Sequence, residues 1–586
     1  MTKRVAVIDR DVCTHTKCGY VCEKSCPVNR MGQECIITDK DTGFPIISEP
    51  LCIGCGICVK KCPMSCLWII NLAKESGEPV FQYGLNAFRL YGLPLPKNEG
   101  AVSLVGKNGI GKTTALRILS KQITPNFAIF DKKLDEAKIM DKFPLETRRY
   151  FQQLGKELHV SMKPQHVDRL RGAFKGTVKK MLLEVCGKKD LEKAVEQFGI
   201  SAILDRDIAN LSGGELQKVA IAAAYLKDAD IYYFDEPTNY MDIEERLRVA
   251  VLLKELSERK KVMLAEHDMV ILDYVSSYVY LFYGDENIYG TVSGVKNVRA
   301  GLNEYIAGFL KDENVKFRER ELKFSSHSEG EIRTPVKIKY EGLTKSFGKD
   351  FRFSSDGGEI REGEIIGLLG KNALGKSLLI KMLAGVETPD EGETKKFKVS
   401  YKPQYISAED VVVEEMFRSQ SLNGAVFEEA KRRLSITRLM EKKLNELSGG
   451  ELQRVALTLA LSRDADFYLF DEPSAFLDIE QRFAFAELLR HVVSESKKSA
   501  FVVDHDVVFI DSIANRLIVF DGKSSVKGHA SSPMNKRDGM NSFLKMTNIT
   551  LRRDKDTKRP RINKPDSALD REQKEKGEYY YSIQDD

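Results

Sequence analysis

Short apolar runs recur along the chain between longer polar segments, and several of them end at residues suited to phosphate chemistry. Ala101–Val105 and Ile365–Leu369 form one pair of such runs, and residues 231–234 and 467–470 form a second pair. A short apolar run bounded by turn signals is typical of a buried strand. Because the two pairs occur in the same order in each half, the pattern predicts a duplicated α/β fold.

Length and composition narrow the class of protein. The 586 residues exceed what one hydrophobic core can organise, so we expect about three to four domains. A hydrophobic content of 42% and a charged content of 30% are typical of a soluble globular protein. The sequence has no apolar run of about eighteen residues and no signal-like segment after Met1, so we expect a cytoplasmic protein, also present in the nucleus, without membrane contact.

The cysteines are concentrated at the N-terminus, where ten of the eleven lie within the first 66 residues. A C-x2-C-x2-C-x3-C-P run begins at Cys52, and this spacing is typical of two-cluster ferredoxins, in which the fourth cysteine binds the other cluster. A second run that also ends in Cys-Pro begins at Cys13, with wider gaps. The crossed pattern predicts two [4Fe–4S] clusters, with Cys13, Cys18, Cys22 and Cys62 as ligands of cluster 1 and Cys26, Cys52, Cys55 and Cys58 as ligands of cluster 2.

Two structural zinc sites are the alternative, since four cysteines also suit tetrahedral zinc. Zinc explains neither the two Cys-Pro endings nor the crossed ligand sets. We expect the remaining cysteines, Cys35, Cys66 and Cys186, to be small buried hydrophobic residues.

Each half contains a P-loop, G-x-x-x-x-G-K-[ST], directly after its first apolar run. Its glycines let backbone N–H groups surround phosphate, and Lys112 and Lys376 reach the β- and γ-phosphate oxygens. The hydroxyls of Thr113 and Ser377 are candidate Mg²⁺ ligands.

The second apolar runs end at Asp-Glu-Pro sequences, which begin at Asp235 and Asp471. The aspartate would hold Mg²⁺, directly or through water. Glu236 and Glu472 are placed to polarise an attacking water molecule, so they are candidate catalytic residues.

Two histidines and two glutamines complete the repeated pattern. His267 and His505 follow the aspartates by 32 and 34 residues, which favours a γ-phosphate sensor over the structural role expected of a lone histidine. Gln165 and Gln404 are the candidate glutamines that contact the metal ion or the water.

The sequence LSGGELQ occurs at residues 211–217 and again at 447–453. A Ser-Gly-Gly run before a helix offers free N–H groups to an anion, yet neither copy has a P-loop lysine beside it. Our hypothesis is that each copy completes a nucleotide site of the opposite half. The second P-loop has Ala373 where the first has Gly109, and Asp504 precedes the second histidine where Glu266 precedes the first, so we expect the two sites to be unequal.

The order P-loop, glutamine, LSGG, Asp-Glu and histidine, repeated over about residues 80–525, resembles the ATP-binding cassette (ABC) ATPases. The resemblance implies two cassettes that close head to tail, so that site one joins the first P-loop to Ser448 and Gly450, and site two joins the second P-loop to Ser212 and Gly214. The implied ATP-binding residues are Gly106, Asn108, Gly109, Gly111, Lys112, Thr113, Thr114, Gln165, Ser212, Gly213, Gly214, Glu215, Asp235, Phe347, Gly370, Asn372, Gly375, Lys376, Ser377, Gln404, Ser448, Gly449, Gly450, Glu451 and Asp471. Phe347 is expected to stack on adenine in the second cassette, with Tyr83 and Phe88 left open for the first.

The cysteine-rich head, FDEPSAFLD at residues 470–478 and LRRDKDTKRPRINK at 551–564 together resemble the ribosome-recycling ATPases of ABC subfamily E, the RNase L inhibitor family. This resemblance implies an ATPase that splits ribosomal subunits with a class-1 release factor or a Pelota-like factor and contacts the small subunit, its rRNA and initiation factors. It also implies a monomer whose cassettes pair within one chain. The alternative is a soluble ABC ATPase of iron–sulfur or transport-linked metabolism.

The expected domains are a ferredoxin-like α+β domain (1–72), cassette one (73–290), hinge one (291–328), cassette two (329–527) and hinge two with a basic segment (528–586). Cassette one is longer before Gln165, and Pro144 divides the extra residues, so we expect a helical hairpin at about 130–160 that contacts a partner. For the basic run at 551–564, a solvated surface, rRNA phosphate binding and binding across the cassettes remain open.

Overall fold

The structure is a computed structural model that describes residues 4–8, 13, 18–38, 43, 45–48, 51–64, 67–71, 78–84, 87–130, 134–154, 156–318, 320–324, 334–348, 351–393, 398–404 and 409–580. No helix within these ranges is long and apolar enough to cross a bilayer.

The N-terminal domain is a small α+β unit in which β1 pairs with β4 and β2 pairs with β3, both antiparallel. Four buried cysteines and the side chains of Val28, Ile36 and Leu67 form its core. Its elements are β1 (Arg4–Ile8), α1 (Val21–Ser25), α2 (Pro27–Arg30), β2 (Ile36–Thr38), β3 (Pro45–Ile47), α3 (Ile57–Lys61) and β4 (Leu67–Asn71).

Cassette one is built on a sheet with the strand order β5-β6-β12-β11-β7-β10-β9-β8. Its elements are β5 (Phe81–Gln82), β6 (Arg89–Tyr91), β7 (Ala101–Val105), α4 (Lys112–Leu119), α5 (Glu136–Lys142), α6 (Leu145–Gln153), β8 (Val160–Lys163), α7 (Leu170–Ala173), α8 (Val178–Val185), α9 (Lys188–Phe198), α10 (Gly213–Leu226), β9 (Ile231–Asp235), α11 (Ile243–Ser257), β10 (Lys261–Ala265), α12 (Met269–Val275), β11 (Ser276–Asp285) and β12 (Tyr289–Asn297). The connection to cassette two contains α13 (Val298–Ala307), β13 (Phe309–Leu310) and β14 (Val315–Lys316).

Cassette two repeats that strand order as β16-β17-β24-β23-β19-β22-β21-β20, with β25 also paired to β23. Its elements are β15 (Val336–Tyr340), β16 (Thr344–Phe347), β17 (Phe351–Ser355), β18 (Gly358–Arg361), β19 (Ile365–Leu369), α14 (Lys376–Leu383), β20 (Val399–Lys402), α15 (Val413–Arg418), α16 (Gly424–Arg433), α17 (Gly449–Ser462), β21 (Phe467–Asp471), α18 (Ile479–Ser496), β22 (Ser499–Val503), α19 (Val507–Ile513), β23 (Arg516–Lys523), β24 (Lys527–Ala530) and β25 (Met534–Asn535). The C-terminal part contains α20 (Lys536–Met546), β26 (Leu551–Arg553), β27 (Pro560–Ile562) and α21 (Ala568–Lys576).

The central strands of each cassette are parallel and almost completely buried, as their continuous apolar sequences predict. In β7 and β19 every residue is buried, and each strand leads directly into a P-loop. The Asp-Glu pairs and the histidines follow neighbouring strands. Ligands of open α/β sheets bind at the carboxyl ends of the strands, so this topology gathers the predicted residues at one edge. The predicted duplication of an α/β fold is confirmed.

The predicted helical hairpin of cassette one is present as α5 and α6, and Pro144 lies between them at the start of α6. Its apolar face is buried through Phe143 and Phe151, whose rings stack at 5.2 Å. The Tyr150 hydroxyl donates to the backbone oxygen of Leu119 at 2.6 Å, which ties α6 to the P-loop helix. One face of the hairpin is thus part of the cassette core.

Two of the expected domain boundaries fall inside strands. β12 continues past residue 290 and pairs with β6 and β11 of cassette one, and β24 begins at Lys527 and pairs with β17 and β23 of cassette two. The motifs on which the boundaries were placed lie upstream of these last strands. The first boundary therefore moves beyond Asn297, and the second moves beyond the β25 strand.

The basic run at 551–564 is a contact between the cassettes. Arg559 is fully buried, and its Nη2 atom lies 3.5 Å from Asp273 Oδ1 on α12. Arg561 Nη2 donates to the same oxygen at 3.1 Å. Farther along the segment, the Tyr580 hydroxyl donates to Asp511 Oδ1 on α19 of cassette two at 2.5 Å. The solvated interpretation is wrong for these two arginines, which bind cassette one, while Tyr580 of the same C-terminal segment binds cassette two.

Candidate nucleotide and iron–sulfur sites

The two P-loops have the same geometry. Gly111 and Gly375 precede the P-loop helices with φ of 94° and 97°, a conformation that glycine adopts without strain. Lys112 Nζ donates to the backbone oxygens of Gly106 at 2.8 Å and Lys107 at 2.6 Å. Lys376 makes the equivalent bonds, also at 2.8 and 2.6 Å, to Gly370 and Lys371. Each lysine therefore has its ammonium group inside the loop that would surround phosphate.

The Asp-Glu pairs lie at the carboxyl ends of β9 and β21, facing the P-loops. Asp235 is buried, and among the described residues neither of its carboxylate oxygens accepts a well-aligned hydrogen bond. Burial and the neighbouring charge of Glu236 raise the pKa of the Asp235 carboxyl to about 7, although the Thr113 hydroxyl opposes the shift. Asp471 is arranged in the same way beside Ser377, and burial raises its pKa. Buried carboxylate oxygens next to a hydroxyl are a suitable donor set for Mg²⁺.

The candidate catalytic glutamates are ionised and held in place. Burial opposes ionisation of Glu236, but His267, Lys112 and Gln165 outweigh it and lower the pKa of its carboxyl to about 2. His267 Nε2 lies 3.5 Å from Glu236 Oε1, and Gln165 Nε2 donates to the same oxygen at 2.7 Å. The environments of Asp235 and Glu236 thus separate the pKa values of two adjacent carboxyls, an arrangement typical of acid–base sites.

Cassette two repeats the arrangement around Glu472, whose pKa is also lowered to about 2 by His505 and Gln404 against the effect of burial. His505 Nε2 lies 3.4 Å from Glu472 Oε1, and Gln404 Nε2 donates to that oxygen at 2.7 Å. The sequence predicted that Gln165 and Gln404 contact the metal ion or the water, and this stays a prediction. In the structure the Nε2 atom of each amide donates to the glutamate, because each glutamine follows a strand adjacent to the one that carries its glutamate.

The LSGG segments form reciprocal caps on α10 and α17. Ser212 Oγ accepts the backbone N–H of Glu215 at 3.3 Å, and Glu215 Oε2 accepts the N–H of Ser212 at 2.9 Å. Ser448 and Glu451 repeat both bonds at 3.4 and 2.9 Å. Such a capping box satisfies the first N–H groups of a helix and fixes the orientation of the Ser-Gly-Gly turn.

The cassettes meet head to tail, as predicted. Asn108 of the first P-loop donates its backbone N–H to Asp478 Oδ2 at 2.9 Å, and its amide donates to the Phe476 oxygen at 3.0 Å. Asn372 of the second P-loop donates its N–H to Asp242 Oδ2 at 3.1 Å. Each P-loop therefore touches the segment that follows the Asp-Glu-Pro sequence of the other cassette.

A cleft of about 1200 Å³ lies at site two, between the second P-loop and the first LSGG segment. Its lining includes most residues that the sequence predicts for this site, namely Ser212, Gly213, Gly214, Glu215, Phe347, Asn372, Gly375, Lys376, Ser377, Gln404, Glu472 and His505. At site one, an added Cβ on Gly450 would lie 3.4 Å from the Asn108 amide, so the second LSGG segment also lies against the opposite P-loop.

The exposed aromatic residues identify equivalent positions in the two cassettes. Phe347 pairs with Phe351 across the β16–β17 hairpin and lines the cleft. In cassette one, Tyr83 donates its backbone N–H to the oxygen of Phe88, so these two residues face each other as Phe347 and Phe351 do. Tyr83, whose hydroxyl lies 3.1 Å from Thr114 Oγ1, is thus the counterpart of Phe347.

The structure brings together the four cysteines predicted for cluster 2, and it places three of those predicted for cluster 1, Cys13, Cys18 and Cys22, near one another. Cys26, Cys52, Cys55 and Cys58 line one small cavity together with Cys35. Burial raises the pKa values of the Cys22 and Cys58 thiols to about 11. The charges of Cys18 and Cys13 also raise the pKa of Cys22, so these three thiols lie near one another. The described cysteines are free thiols.

The thiols around this cavity suit an iron–sulfur cluster. The four cysteines of a [4Fe–4S] cluster bind the cluster from different sides, so they line a cavity. Cys35 is buried as expected, whereas Cys186 is partly buried and Cys66 lies outside the described residues.

Several residues at the sites were not singled out from the sequence. Asp242 and Asp478 each cap a helix through Oδ1 and bind the opposite P-loop through Oδ2. The lysine of each Lys-Pro-Gln sequence and the last glutamine of each LSGGELQ segment bond to the backbone of the catalytic glutamates. All these letters occur in both halves of the sequence, and that repetition could have identified them.

Comparisons with known proteins agree with this architecture. A profile described as ABC transporter matches residues 95–239 and 355–475, and one described as a possible Fer4-like domain in RNase L inhibitor matches residues 4–34. An uncharacterized ABC transporter ATP-binding protein of Methanocaldococcus jannaschii is 46% identical over 99% of this chain and 97% of its own length. Translation initiation factor RLI1 of Saccharomyces cerevisiae is 40% identical over 99% of this chain and 98% of its own length.

A solved structure extends the similarity to the whole fold. A chain in a structure described as a model of ribosome-bound archaeal Pelota and ABCE1 matches this fold with a TM-score of 0.82. The two chains are 45% identical, and the match covers 99% of each. The profiles match a Fer4-like head and two ABC cassettes in this chain, and the relatives and the solved structure align with nearly all of it. The chain therefore belongs to ABC subfamily E, the RNase L inhibitor family.

Proposed function

We propose that this chain hydrolyses ATP and uses the closure of its cassettes to split ribosomes into subunits after termination or stalling. The observation that carries this proposal is that both nucleotide sites are composite, with each P-loop bound to the opposite cassette. ATP bound at such a site contacts both cassettes at once, so its binding energy would favour a closed chain. The relative with the same fold over 99% of this chain is found on the ribosome with Pelota.

At each site the chain supplies every group that phosphoryl transfer to water requires. Lys112 would bind the phosphates, and Asp235 with Thr113 would hold Mg²⁺, which neutralises charge on the phosphate oxygens. Glu236 is ionised and therefore able to accept a proton from the attacking water. His267, whose Nε2 atom lies 3.5 Å from that carboxylate, would contact the γ-phosphate. Site two would use the equivalent residues.

We propose that the iron–sulfur head moves when the cassettes close. Its strand β4 lies against β14 of the connection between the cassettes. A rigid head that is attached next to a hinge turns with the cassettes, as in other hinge-driven closures. We propose that the head and the α5–α6 hairpin contact the ribosome and its bound factor.

The proposed partners are the small subunit and its rRNA, a class-1 release factor or a Pelota-like factor, and initiation factors. The proposed location is the cytoplasm, with a share in the nucleus. The chain would act as a monomer, because its two cassettes supply both halves of each ATP site.

Sedimentation with ribosomes tests the proposal. Binding should increase with a non-hydrolysable ATP analogue, and subunits should separate only when ATP and a Pelota-like or release factor are added. The alternative is a soluble ABC ATPase of iron–sulfur or transport-linked metabolism. It would be favoured if ribosome binding did not depend on nucleotide and ATP hydrolysis did not depend on ribosomes.

We further propose two [4Fe–4S] clusters, which would bind the deprotonated thiols. Iron and acid-labile sulfide should each be about eight per chain. Cys58→Ser should lower both to about four, whereas Cys186→Ser should leave them unchanged. Zinc without sulfide in the purified protein would contradict the proposal and favour structural zinc sites.

A further inference from the structure

The backbone of each catalytic glutamate has a conformation that is unfavourable for an L-residue. Glu236 has φ of 46° and Glu472 has φ of 48°. Residues other than glycine keep such positive φ values only where the surrounding structure holds them there. The repetition of the same conformation in both cassettes indicates that specific contacts maintain it.

A fully buried lysine supplies the first of these contacts. Lys163, at the end of β8, has no exposed surface, and its Nζ atom donates to the backbone oxygens of Asp235 at 2.8 Å and Glu236 at 3.0 Å. Lys402, at the end of β20, is 1% exposed and donates to the oxygens of Asp471 at 2.9 Å and Glu472 at 3.3 Å. A buried ammonium group is costly without partners, so its use here indicates a specific role.

The LSGGELQ helix supplies the second contact. Gln217 Nε2, on α10, donates to the oxygens of Glu236 at 2.7 Å and Pro237 at 2.9 Å. Gln453 makes the equivalent bonds to Glu472 at 3.0 Å and to the following proline at 2.9 Å. The carbonyl of each glutamate therefore accepts one bond from a strand and one from the helix whose N-terminus faces the other ATP site.

We propose that Lys163 and Lys402 are positioning residues that hold the catalytic glutamates in the geometry needed for hydrolysis, with Gln217 and Gln453 as their partners. The inference deepens the proposed function, because it concerns the same ATP sites. The lysines touch only backbone oxygens, so they act through the glutamate and not on ATP. Gln217 also joins the glutamate of site one to the helix that closes site two.

The test replaces Lys163 by methionine, which keeps the length and removes the donor. ATP hydrolysis at site one should fall about tenfold or more in kcat, while KM stays within about twofold, as expected when only a transition-state interaction is lost. To measure one site at a time, Lys163→Met is combined with Glu472→Gln, which leaves only site one active, or with Glu236→Gln, which leaves only site two active. Lys163→Met should lower hydrolysis in the Glu472→Gln background and have no further effect in the Glu236→Gln background.

Matched variants keep the result interpretable. Lys402→Met should show the opposite pattern in the same two backgrounds. Lys254→Met is the control, because Lys254 Nζ also donates to a backbone oxygen, that of Tyr274 at 2.9 Å, away from the ATP sites. If Lys163→Met does not fold, Gln217→Leu probes the same carbonyl and should reproduce the loss of kcat.

The outcomes separate this inference from the proposed function. An unmodified chain without ATP hydrolysis would overturn the proposed function. An active chain whose Lys163→Met variant keeps its kcat, or loses equal activity in both backgrounds, would overturn only the positioning role. A change confined to KM would have the same consequence.

Discussion

The two ATP sites are built from equivalent elements, yet the residues that connect the cassettes differ between them. At site one, Arg454 of α17 is 3% exposed and donates to Glu286 Oε1 of cassette one at 3.0 Å. Lys218 has the equivalent position in α10, but it donates to Glu245 of its own cassette at 2.7 Å. Ser524, a neutral residue, replaces Glu286 in cassette two. Duplication has thus preserved each site and changed its connection to the opposite cassette.

The residue before the histidine is Glu266 in cassette one and Asp504 in cassette two, and two of the hydrogen bonds around it are the same in both. Glu266 accepts bonds from the Thr238 N–H at 3.2 Å and from its hydroxyl at 2.9 Å. Asp504 accepts the same two bonds from Ser474, at 2.9 and 2.7 Å. Both carboxylates therefore accept the same pair of hydrogen bonds from the residue after the proline.

The largest expected effect comes from separate removal of the two catalytic glutamates. Glu236→Gln and Glu472→Gln should each lower hydrolysis at their own site by about 10²- to 10⁴-fold, the usual contribution of a general base. Because the connections between the cassettes differ, the remaining turnover should differ between the two variants. Single-site ATP turnover measures this, and identical turnover would contradict the inequality of the sites.

The ion pair between the cassettes gives the next effect. Glu286→Gln removes its charge while Arg454 keeps its bond to the Leu434 oxygen at 3.1 Å. Loss of one partner of a largely buried pair mainly accelerates dissociation, here by about tenfold or more. Release of labelled ATP from a catalytically blocked chain should show one phase for each site, and only the phase of site one should accelerate.

The control for this prediction is Glu245→Gln, which weakens the Lys218 pair within one cassette. It should change neither phase of ATP release by more than about twofold, because partly exposed pairs contribute little. Equal acceleration of both phases by Glu286→Gln would show that the pair is not specific for site one.

Most of the candidate site could be predicted from the sequence, because short segments with fixed internal geometry carry it. The P-loop, the Asp-Glu ending of a buried strand and the LSGG cap each depend on neighbouring residues. Spacing alone also predicted that Cys26 lies with Cys52, Cys55 and Cys58. In both cassettes these local segments have the conformations that their residue types favour, with the exception of Glu236, Glu472 and Ala373, which have positive φ.

The contacts between distant segments could not be predicted. Arg561 binds Asp273 at a separation of 288 residues, and nothing local to a basic run identifies its counter-ion. The boundaries inside β12 and β24 were missed for a related reason, since a last strand added to a sheet is recognised by its partners. The use of Asp242 on two cassettes at once also depends on tertiary structure.

A smaller effect is expected from an exchange at the P-loop position where the halves differ. Gly109 has φ of 68° and Ala373 has φ of 59°, so both have the left-handed conformation. An added Cβ on Gly109 would lie 2.6 Å from Asn287 Oδ1, whereas in cassette two the smaller Ser525 takes the place of Asn287. Gly109→Ala should lower the free energy of unfolding by about 1–2 kcal/mol.

The reverse change, Ala373→Gly, should alter the free energy of unfolding by less than about 1 kcal/mol. Relief of the left-handed alanine is partly offset by the greater freedom of glycine in the unfolded chain. Urea unfolding of both variants measures the difference. Equal and opposite effects of the two changes on the free energy of unfolding would show that Asn287, which faces Gly109, does not contribute to the difference.

The smallest effect concerns the second oxygen of the catalytic glutamate. Asn239 Nδ2 donates to Glu236 Oε2 at 2.7 Å, while Ala475 at the equivalent position of cassette two has no donor. A hydrogen bond to a carboxylate stabilises its charged form and makes it a weaker base. Asn239→Ala should therefore raise single-site hydrolysis at site one about two- to fivefold, and Ala475→Asn should lower it at site two by a similar factor. Slower hydrolysis at site one in Asn239→Ala would contradict this prediction. It would show that the Asn239 amide orients Glu236, and that this extra hydrogen bond makes hydrolysis faster at site one than at site two.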